Sequence, residues 1–243
     1  MRNILIGDVH GCLDEFRELL RLVSYKQGSD RLIQVGDLLD RGPDPVGCVR
    51  FAREVGAELV LGNHEEKHLR FRKHEEARAR SGKKNPIKGF DAEKSAQNAA
   101  LSEDDLAYLA AAPLVLRVNE SLVAVHAGLE PAFPVASQSS AVVRVRYVDS
   151  AGEMVGFAQG SLEQPEGTDY WASRWRGPES VVYGHAVHSL SDPRVDRFEG
   201  GACYGIDTGC VFGGRLSAFV LAGGAVEVAQ VQAHRRYCEQ AHV

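Results

Sequence analysis

Residues 31–42 read RLIQVGDLLDRG, an apolar run that stops at Gly36 and Asp37. The apolar residues favour a buried β-strand, and the glycine followed by a carboxylate indicates a tight polar turn after it. Two other apolar runs, at residues 3–6 and 59–61, also end at a glycine followed by a polar residue. This repetition predicts three strands whose polar loops lie along one edge of a sheet.

Helical patterns separate the three predicted strands. Apolar residues recur at helical spacing from Leu13 to Val23, and the pattern fades by Gly28. After the second strand, Pro45 suits the first turn of a helix, and Val49 belongs to its apolar face. Alternating strands and helices are typical of the α/β class. Because the sequence has no repeat or linker, we predict a single domain over residues 1–243.

A basic segment follows the third predicted strand. Residues 65–88 carry nine lysines and arginines against four glutamates, a local charge of +5. Ser102 and Asp105 resemble a capping box that opens a short helix. We therefore predict a basic helical insertion at about residues 65–112. Such a segment can draw an anionic substrate towards a nearby site, or it can simply be a solvated helix.

Further strands are predicted after this insertion. Residues 122–125 are an apolar run that leads to His126, and residues 181–183 lead in the same way to His185. Two apolar segments joined by a pair of glycines predict a closing hairpin over residues 216–231. Two more predicted strands therefore end close to a histidine.

The composition restricts the class of protein. The chain has 243 residues, 44% hydrophobic and 25% charged, with a net charge of −5, so we predict no stable nucleic-acid partner. Its five cysteines form no CxxC pair, which favours a reducing compartment over a disulfide framework. No apolar stretch approaches the roughly 20 residues of a membrane span. We expect a cytoplasmic protein without a membrane partner.

The residues that follow the predicted strands are those that bind metal ions in proteins. Carboxylate, imidazole and amide side chains in combination suit manganese, iron or zinc better than calcium or magnesium. Six such ligands exceed what one ion in an open site needs, so two ions sharing a carboxylate are expected. A pair of ions can stabilise the attacking and leaving oxygens of a phosphoryl displacement. The six residues are Asp8, His10, Asp37, Asn63, His126 and His185.

These motifs identify the chain as similar to a known family. It resembles the calcineurin-like metallophosphoesterases of the phosphoprotein phosphatase superfamily. The resemblance implies an α/β fold with a β-sandwich of two mixed sheets flanked by helices, and a dinuclear metal site at one sheet edge. The motifs that carry it are residues 7–11 (GDVHG), 36–42 (GDLLDRG), 62–65 (GNHE), 126–128 (HAG) and 184–185 (GH).

The resemblance also implies a role for each residue at the predicted site. One ion would be bound by Asp8, His10 and Asp37, and a second, sharing Asp37, by Asn63, His126 and His185. Manganese is expected, with iron, zinc, cobalt or nickel as alternatives. Asp40 and His64 match the family's acid–histidine pair, in which the histidine protonates the leaving oxygen. Arg41 matches its phosphate-binding arginine, and Asp207 would orient a ligand histidine unless it only forms a turn.

Looser similarities narrow the expected substrate. Residues 125–131 (VHAGLEP) resemble those of bacterial dinucleoside tetraphosphatases and ApaH-like phosphatases, whereas protein phosphatases usually have a second glycine at the place of Ala127. Arg146 falls where ApaH-like proteins carry an arginine and is the candidate for a second phosphate-binding residue. Arg144, Arg174 and Arg176 are alternatives to it. The segment 171–214 resembles that group and, nearly as well, the phosphatase module of bacterial polynucleotide kinase-phosphatases.

The resemblance therefore implies an enzyme. Its expected reaction is the metal-dependent hydrolysis of phosphoanhydride bonds in nucleoside polyphosphates such as diadenosine tetraphosphate, with a phosphomonoesterase side activity. A Ser/Thr protein phosphatase is the alternative, because it would use the same metal core. The expected partner is accordingly a nucleotide substrate or a phosphoprotein.

Overall fold

A computed structural model describes residues 1–156 and 164–239 of the chain. In this part the strands are β1 (Asn3–Ile6), β2 (Arg31–Gln34), β3 (Glu58–Leu59), β4 (Val115–Asn119), β5 (Leu122–Val125), β6 (Tyr147–Val148), β7 (Asp169–Tyr170), β8 (Ser180–Tyr183), β9 (Arg194–Phe198), β10 (Gly201–Gly205), β11 (Asp207–Thr208), β12 (Arg215–Ala222) and β13 (Ala225–Gln232). The α-helices are α1 (Leu13–Leu22), α2 (Pro45–Glu54), α3 (Asn63–Ser81), α4 (Ala92–Ala100), α5 (Glu103–Ala110) and α6 (Trp171–Arg174).

The first sheet contains the three strands predicted from the opening motifs. Its order is β11-β12-β1-β2-β3, with β13 paired to the other edge of β12 as an antiparallel hairpin. β1, β2 and β3 are parallel neighbours, whereas β12 runs antiparallel to β1. The βαβαβ order and the closing hairpin are therefore confirmed.

The second sheet packs against the first and completes the predicted sandwich. Its order is β4-β5-β8-β10-β9, with β5, β8 and β10 parallel. β5 is buried on both faces, as its unbroken apolar sequence requires. Leu122 and Ala124 pack with Leu5 and Ile33 of the first sheet, and Val123 packs on the opposite side. The predicted α/β class with two mixed sheets flanked by helices is confirmed.

Helices cover the outer face of the first sheet. Ile4 and Ile6 of β1 are fully buried against Phe16 and Leu19 of α1 and Val49 of α2. The helical spacing of these apolar residues is what brings α1 and α2 onto the sheet. The outer face of the second sheet is covered by α6 and by a short 3₁₀ helix, Ser140–Arg144.

The segment between β3 and β4 forms α3, α4 and α5. α5 begins at the predicted capping box, in which the Ser102 hydroxyl accepts the Asp105 backbone N–H while the Asp105 carboxylate accepts that of Ser102. α3 ends before Gly82, whose φ of 69° is readily adopted by glycine. Among the described residues, no helix combines the length and the apolar character needed to cross a bilayer.

Candidate metal centre

The six predicted ligands meet where the strands end. Asp8 follows β1, Asp37 follows β2, and Asn63 opens α3 shortly after β3. From the second sheet, His126 follows β5 and His185 follows β8. Because these strands run parallel within each sheet, their following loops lie at one edge of the sandwich.

Asp37 lies at the centre of this cluster. Its Oδ2 is 3.4 Å from His10 Nε2, and its Oδ1 is 3.3 Å from His126 Nε2. His126 Nε2 also lies 2.9 Å from Asn63 Oδ1. The donor atoms of His10, Asp37 and His64 lie within 4.8 Å of one another, as do those of Asp37, His126 and His185. The carboxylate thus faces one group with each oxygen, the arrangement required of a bridging ligand.

Two of the histidines are fixed in one tautomer by the backbone. His10 Nδ1 donates to the carbonyl of Leu39 at 2.8 Å, and His126 Nδ1 donates to the carbonyl of Val35 at 2.9 Å. A carbonyl can only accept, so each Nδ1 carries the proton and each Nε2 presents a lone pair towards Asp37. Burial lowers the pKa of both rings, which favours the neutral, metal-binding imidazole.

The charge balance of the cluster fits divalent cations. Burial, followed by the charges of Asp207 and Asp37, raises the pKa of Asp8 well above its ordinary value. Burial also raises the pKa of Asp207 to about 6. Three buried carboxylates so close together need more positive charge than the neutral histidines supply. Divalent ions bound by this oxygen and nitrogen donor set would provide it.

Five of the predicted site residues have a left-handed backbone. The φ angles are 42° at His10, 59° at Asp37, 68° at Asp40, 72° at Arg41 and 69° at His185. Residues other than glycine rarely adopt this region, and each such residue typically costs of order 1–3 kcal/mol. Backbone hydrogen bonds hold the strained turns, among them His10 N–H to Asp37 O at 2.8 Å. Strain concentrated in this way is characteristic of functional sites.

The glycine before His185 is required by close packing. A Cβ at Gly184 would lie 2.0 Å from Asp8 Oδ1, which no substitution could accommodate without moving the carboxylate. Both oxygens of Asp8 accept the backbone N–H of His185, at 3.1 Å each. The Gly184–His185 pair therefore fixes the orientation of Asp8, and this is the physical basis of the motif.

Asp40 and His64 form the predicted pair. His64 Nδ1 lies 2.5 Å from Asp40 Oδ2, while His64 Nε2 lies 3.8 Å from Asp37 Oδ2. The imidazole is therefore bound at one nitrogen and points towards the metal cluster with the other. Burial alone would raise the pKa of Asp40, but hydrogen bonds from His64 and His68 outweigh it and lower the pKa.

The structure shows three contributing residues that the sequence analysis missed. Glu65, fully buried, accepts the backbone N–H groups of Asp37, Leu38 and Leu39 at 2.7, 2.9 and 3.1 Å. Its pKa is raised to about 8, first by burial and then by the charge of Asp37. The others are His68 and Asn98, which lie behind Asp40. Two of the three had a sequence signal: Glu65 ends the GNHE motif, and His68 lies four residues after His64 on one helical face.

The arginines near the cluster differ in what they contact. Arg41 Nη1 is 2.7 Å from His10 Nε2, and Arg146 Nε is 3.4 Å from His185 Nε2. Arg144 bonds Glu66 at 2.6 Å and the Asn63 carbonyl at 3.4 Å. Of the other candidates, Arg174 bonds Asp169 and the Ser150 carbonyl, and Arg176 the Trp175 carbonyl. Arg41 and Arg146 therefore each lie beside a predicted ligand histidine.

Asp207 lies near the cluster without a hydrogen bond to a ligand histidine among the described residues. Its Oδ1 accepts the backbone N–H of Gly209 at 2.9 Å, which is the turn that the sequence left as the alternative. Its charge nonetheless acts on Asp8, whose pKa it helps to raise. Asp207 therefore contributes to the charge of the cluster and to the local turn.

Comparison with known proteins agrees with this geometry. The model of the family described as calcineurin-like phosphoesterase matches residues 1–214. Bis(5′-nucleosyl)-tetraphosphatase PrpE (asymmetrical) of Geobacillus sp. (strain WCH70) is 31% identical, with 90% of each protein covered. The symmetrical bis(5′-nucleosyl)-tetraphosphatase of Methylococcus capsulatus is 30% identical, with 96% of each covered. A crystal structure provisionally described as a diadenosine tetraphosphatase has a TM-score of 0.74 and 33% identity, covering 94% of this chain and 93% of that one.

Proposed function

Since the chain belongs to the calcineurin-like phosphoesterase family and is a metal-dependent phosphoesterase, we propose that it hydrolyses phosphoanhydride bonds in nucleoside polyphosphates such as diadenosine tetraphosphate. The tetraphosphatases that resemble it over nine-tenths or more of its length support this substrate class. A slower phosphomonoesterase activity on simple esters is part of the proposal.

The observation that carries the proposal is that each of the two groups sharing Asp37 has an arginine beside one of its histidines. Arg41 lies against His10 of the first group, and Arg146 lies against His185 of the second. A monoester presents one phosphoryl group, which a single guanidinium can bind bidentately. A polyphosphate carries further negative charges next to the reacting phosphorus, and a second guanidinium can bind one of them bidentately.

We assign one divalent ion to each of the two groups that share Asp37. In the first group we keep His64 as the proton donor and add Asp8, which lies outside that group, as a ligand. Asp8 and His10 would hold the first ion with Asp37, and manganese is the ion expected. Bound there, the ions would supply Lewis-acid activation of water and of the phosphoryl oxygens. The second would be held by Asn63, His126 and His185.

The remaining residues position the substrate and move a proton. Arg41, exposed at the rim, binds oxygens of the reacting phosphoryl group, and Arg146 binds the neighbouring phosphate. His64 delivers a proton from Nε2 to the leaving oxygen, while the Asp40 carboxylate holds the ring through Nδ1. Binding energy from a phosphate beyond the reacting one then contributes to turnover as well as to affinity.

A comparison of substrates tests the proposal. With manganese added, kcat/KM is measured for diadenosine tetraphosphate, ATP, a phosphoserine peptide and 4-nitrophenyl phosphate. Diadenosine tetraphosphate is expected to be the preferred substrate. The products show which bond is cleaved, because ATP with AMP indicates asymmetrical cleavage and two ADP indicate symmetrical cleavage. A phosphopeptide that surpasses the nucleotides would establish the Ser/Thr protein phosphatase instead.

A further inference from the structure

We propose that His68 and Asn98 are positioning residues for the reaction, because they lock the Asp40 carboxylate and through it the proton-donating ring of His64. The inference rests on the acid role proposed for His64. Both residues lie in the segment between β3 and β4, which was predicted from the sequence to be a basic helical insertion.

Hydrogen bonds determine the tautomer of His68. Asn98 Nδ2 lies 2.9 Å from the backbone carbonyl of His68 and 3.2 Å from its Nδ1. The carbonyl can only accept, so this Asn98 atom is the NH₂ group, and it donates to Nδ1 as well. His68 Nδ1 is therefore unprotonated, and the proton is on Nε2. That proton points at Asp40 Oδ1, 2.9 Å away.

Both oxygens of Asp40 are consequently engaged by imidazole N–H groups. Oδ1 accepts from His68, and Oδ2 accepts from His64. A carboxylate held at one oxygen can rotate about its Cβ–Cγ bond, whereas one held at both cannot do so without losing a hydrogen bond. His68 therefore fixes the plane in which Asp40 presents Oδ2 to His64, and so the direction of His64 Nε2.

Burial makes this contact a rigid one. The side chains of His68 and Asp40 are 0% and 1% exposed, so water cannot replace either partner. The ring of Phe90 packs edge-on against His68, with 4.8 Å between ring centroids, and Asn98 on α4 closes the far side. His68 is thus held by packing and hydrogen bonds from three directions, as the support of a catalytic pair must be.

The proposal predicts an effect on one step only. A ring of His64 that is aimed poorly transfers its proton poorly, so esters whose leaving group needs protonation should suffer most. Esters with an activated leaving group should lose little, because their leaving oxygen departs without a proton. Loss of general stability would lower both rates alike. Leaving-group dependence therefore separates positioning from a merely structural role.

The experiment compares kcat for phenyl phosphate and 4-nitrophenyl phosphate, with metal content and melting temperature measured in parallel. His68→Leu removes the donor to Asp40, whereas His68→Gln can place an amide N–H near the position of Nε2. Asn98→Leu removes the donor to His68 Nδ1, so the proton of His68 is no longer confined to Nε2. His64→Asn provides the reference loss, and His74→Leu, on the same helix, is the matched control.

We expect His68→Leu to lower kcat for phenyl phosphate by about 10–100-fold, as is typical for residues that support a catalytic group, with a much smaller loss for 4-nitrophenyl phosphate. His68→Gln should recover most of this loss, and His74→Leu should behave as wild type. If His68→Leu does not fold, Asn98→Leu takes its place and is measured beside His68→Gln. Asn98→Leu must then lower kcat for phenyl phosphate more than kcat for 4-nitrophenyl phosphate.

Equal losses on the two esters in every folded His68 and Asn98 variant would overturn the inference. If the His68 and Asn98 variants showed equal losses while His64→Asn still showed leaving-group dependence, His64 would remain the proposed acid, but His68 and Asn98 would not position it. If His64→Asn itself lost both rates equally, the acid role would fail, and the inference with it. Neither result depends on which nucleotide is the substrate. The proposed substrate class is tested separately, by the comparison of diadenosine tetraphosphate, ATP, the phosphoserine peptide and 4-nitrophenyl phosphate.

Discussion

The buried carboxylate of Glu65 accepts the backbone N–H of Asp37 at 2.7 Å and so joins the first turn of α3 to the loop after β2. Two more N–H groups of that loop bind the same carboxylate. The joined unit carries Asp37, Asn63 and His64. A change at Glu65, which contacts neither substrate nor ion in our proposal, should therefore disturb the whole site.

Glu65→Gln should lower kcat/KM by about 10–100-fold, the usual range for a residue that supports metal ligands. The amide keeps one accepting oxygen but turns an NH₂ group towards backbone N–H groups, which then lose a partner. The measurement is activity on 4-nitrophenyl phosphate at saturating manganese. Glu76→Gln, exposed on the same helix, is the control, and wild-type activity in Glu65→Gln would refute this role.

The metal-free protein should become less stable as the pH rises from about 6.5 to 8. In the folded chain the pKa of Glu65 is raised to about 8, whereas an unfolded glutamate ionises near 4.3. The folded state therefore binds the extra proton in this window, and the free energy of unfolding falls by up to about 1.4 kcal/mol per pH unit. The histidines whose pKa is lowered affect the free energy of unfolding only below this pH window, where they make it rise with pH.

Thermal melts of chelated protein at pH 6.5 and pH 8 provide the measurement. Wild type should melt several degrees lower at pH 8, and Glu65→Gln, which has no such proton, should show a flatter dependence. Added manganese should raise the melting temperature most at the higher pH, because cations favour the ionised carboxylates. A chelated wild type that is more stable at pH 8 would contradict the assignment.

Asp37→Asn should abolish binding of a metal pair and reduce turnover by orders of magnitude. The amide cannot offer an anionic oxygen to both groups, although its size and its hydrogen bond from His64 N can be retained. Metal analysis and activity are measured together, and circular dichroism verifies the fold. Full activity of wild type after exhaustive chelation would exclude the metal requirement.

Gly184→Ala should inactivate the enzyme almost completely through a single methyl group. The new Cβ would lie 2.0 Å from Asp8 Oδ1 and must displace a predicted ligand. Gly156→Ala is the matched control, because a Cβ there meets no atom of the described residues within 4 Å. Metal content per chain is the measurement, and equal content in the two variants would show that Asp8 does not bind an ion.

Arg146→Ala should reduce kcat/KM for diadenosine tetraphosphate much more than for 4-nitrophenyl phosphate. The reason is that only the polyphosphate has a neighbouring phosphate for Arg146 to bind, and this binding supports turnover. Arg174→Ala is the control, since Arg174 bonds Asp169 and the Ser150 carbonyl. A uniform loss on both substrates would instead assign Arg146 to the metal site.

The sequence was sufficient to locate those site residues that follow an unbroken apolar strand. β1 and β5 are buried on both faces, so their composition alone identified them and located Asp8 and His126 at their ends. β9 (RVDRF) was missed because it is only partly buried and mostly polar. β4 was missed although its alternating burial shows a period of two.

The supporting contacts were beyond sequence patterns for a physical reason. His68 and Asn98 are joined across 30 positions, and their hydrogen bond depends on how α4 packs against α3. The left-handed turns at Asp37, Asp40 and Arg41 are equally hidden, because no local preference of these residue types requires them. Patterns identified what lies at the site, whereas tertiary packing determines how it is held.

The position of β12 beside β1 also imposes an order of events on a growing chain. Asp8 leaves the ribosome long before Val220, but the strand that precedes it is central in its sheet and pairs Ile4 with Val220. Contacts this distant in sequence form late and slowly. We expect nascent chains that lack residues 215–222 to be unable to hold ions, so that hydrolysis begins only after β12 has been synthesised.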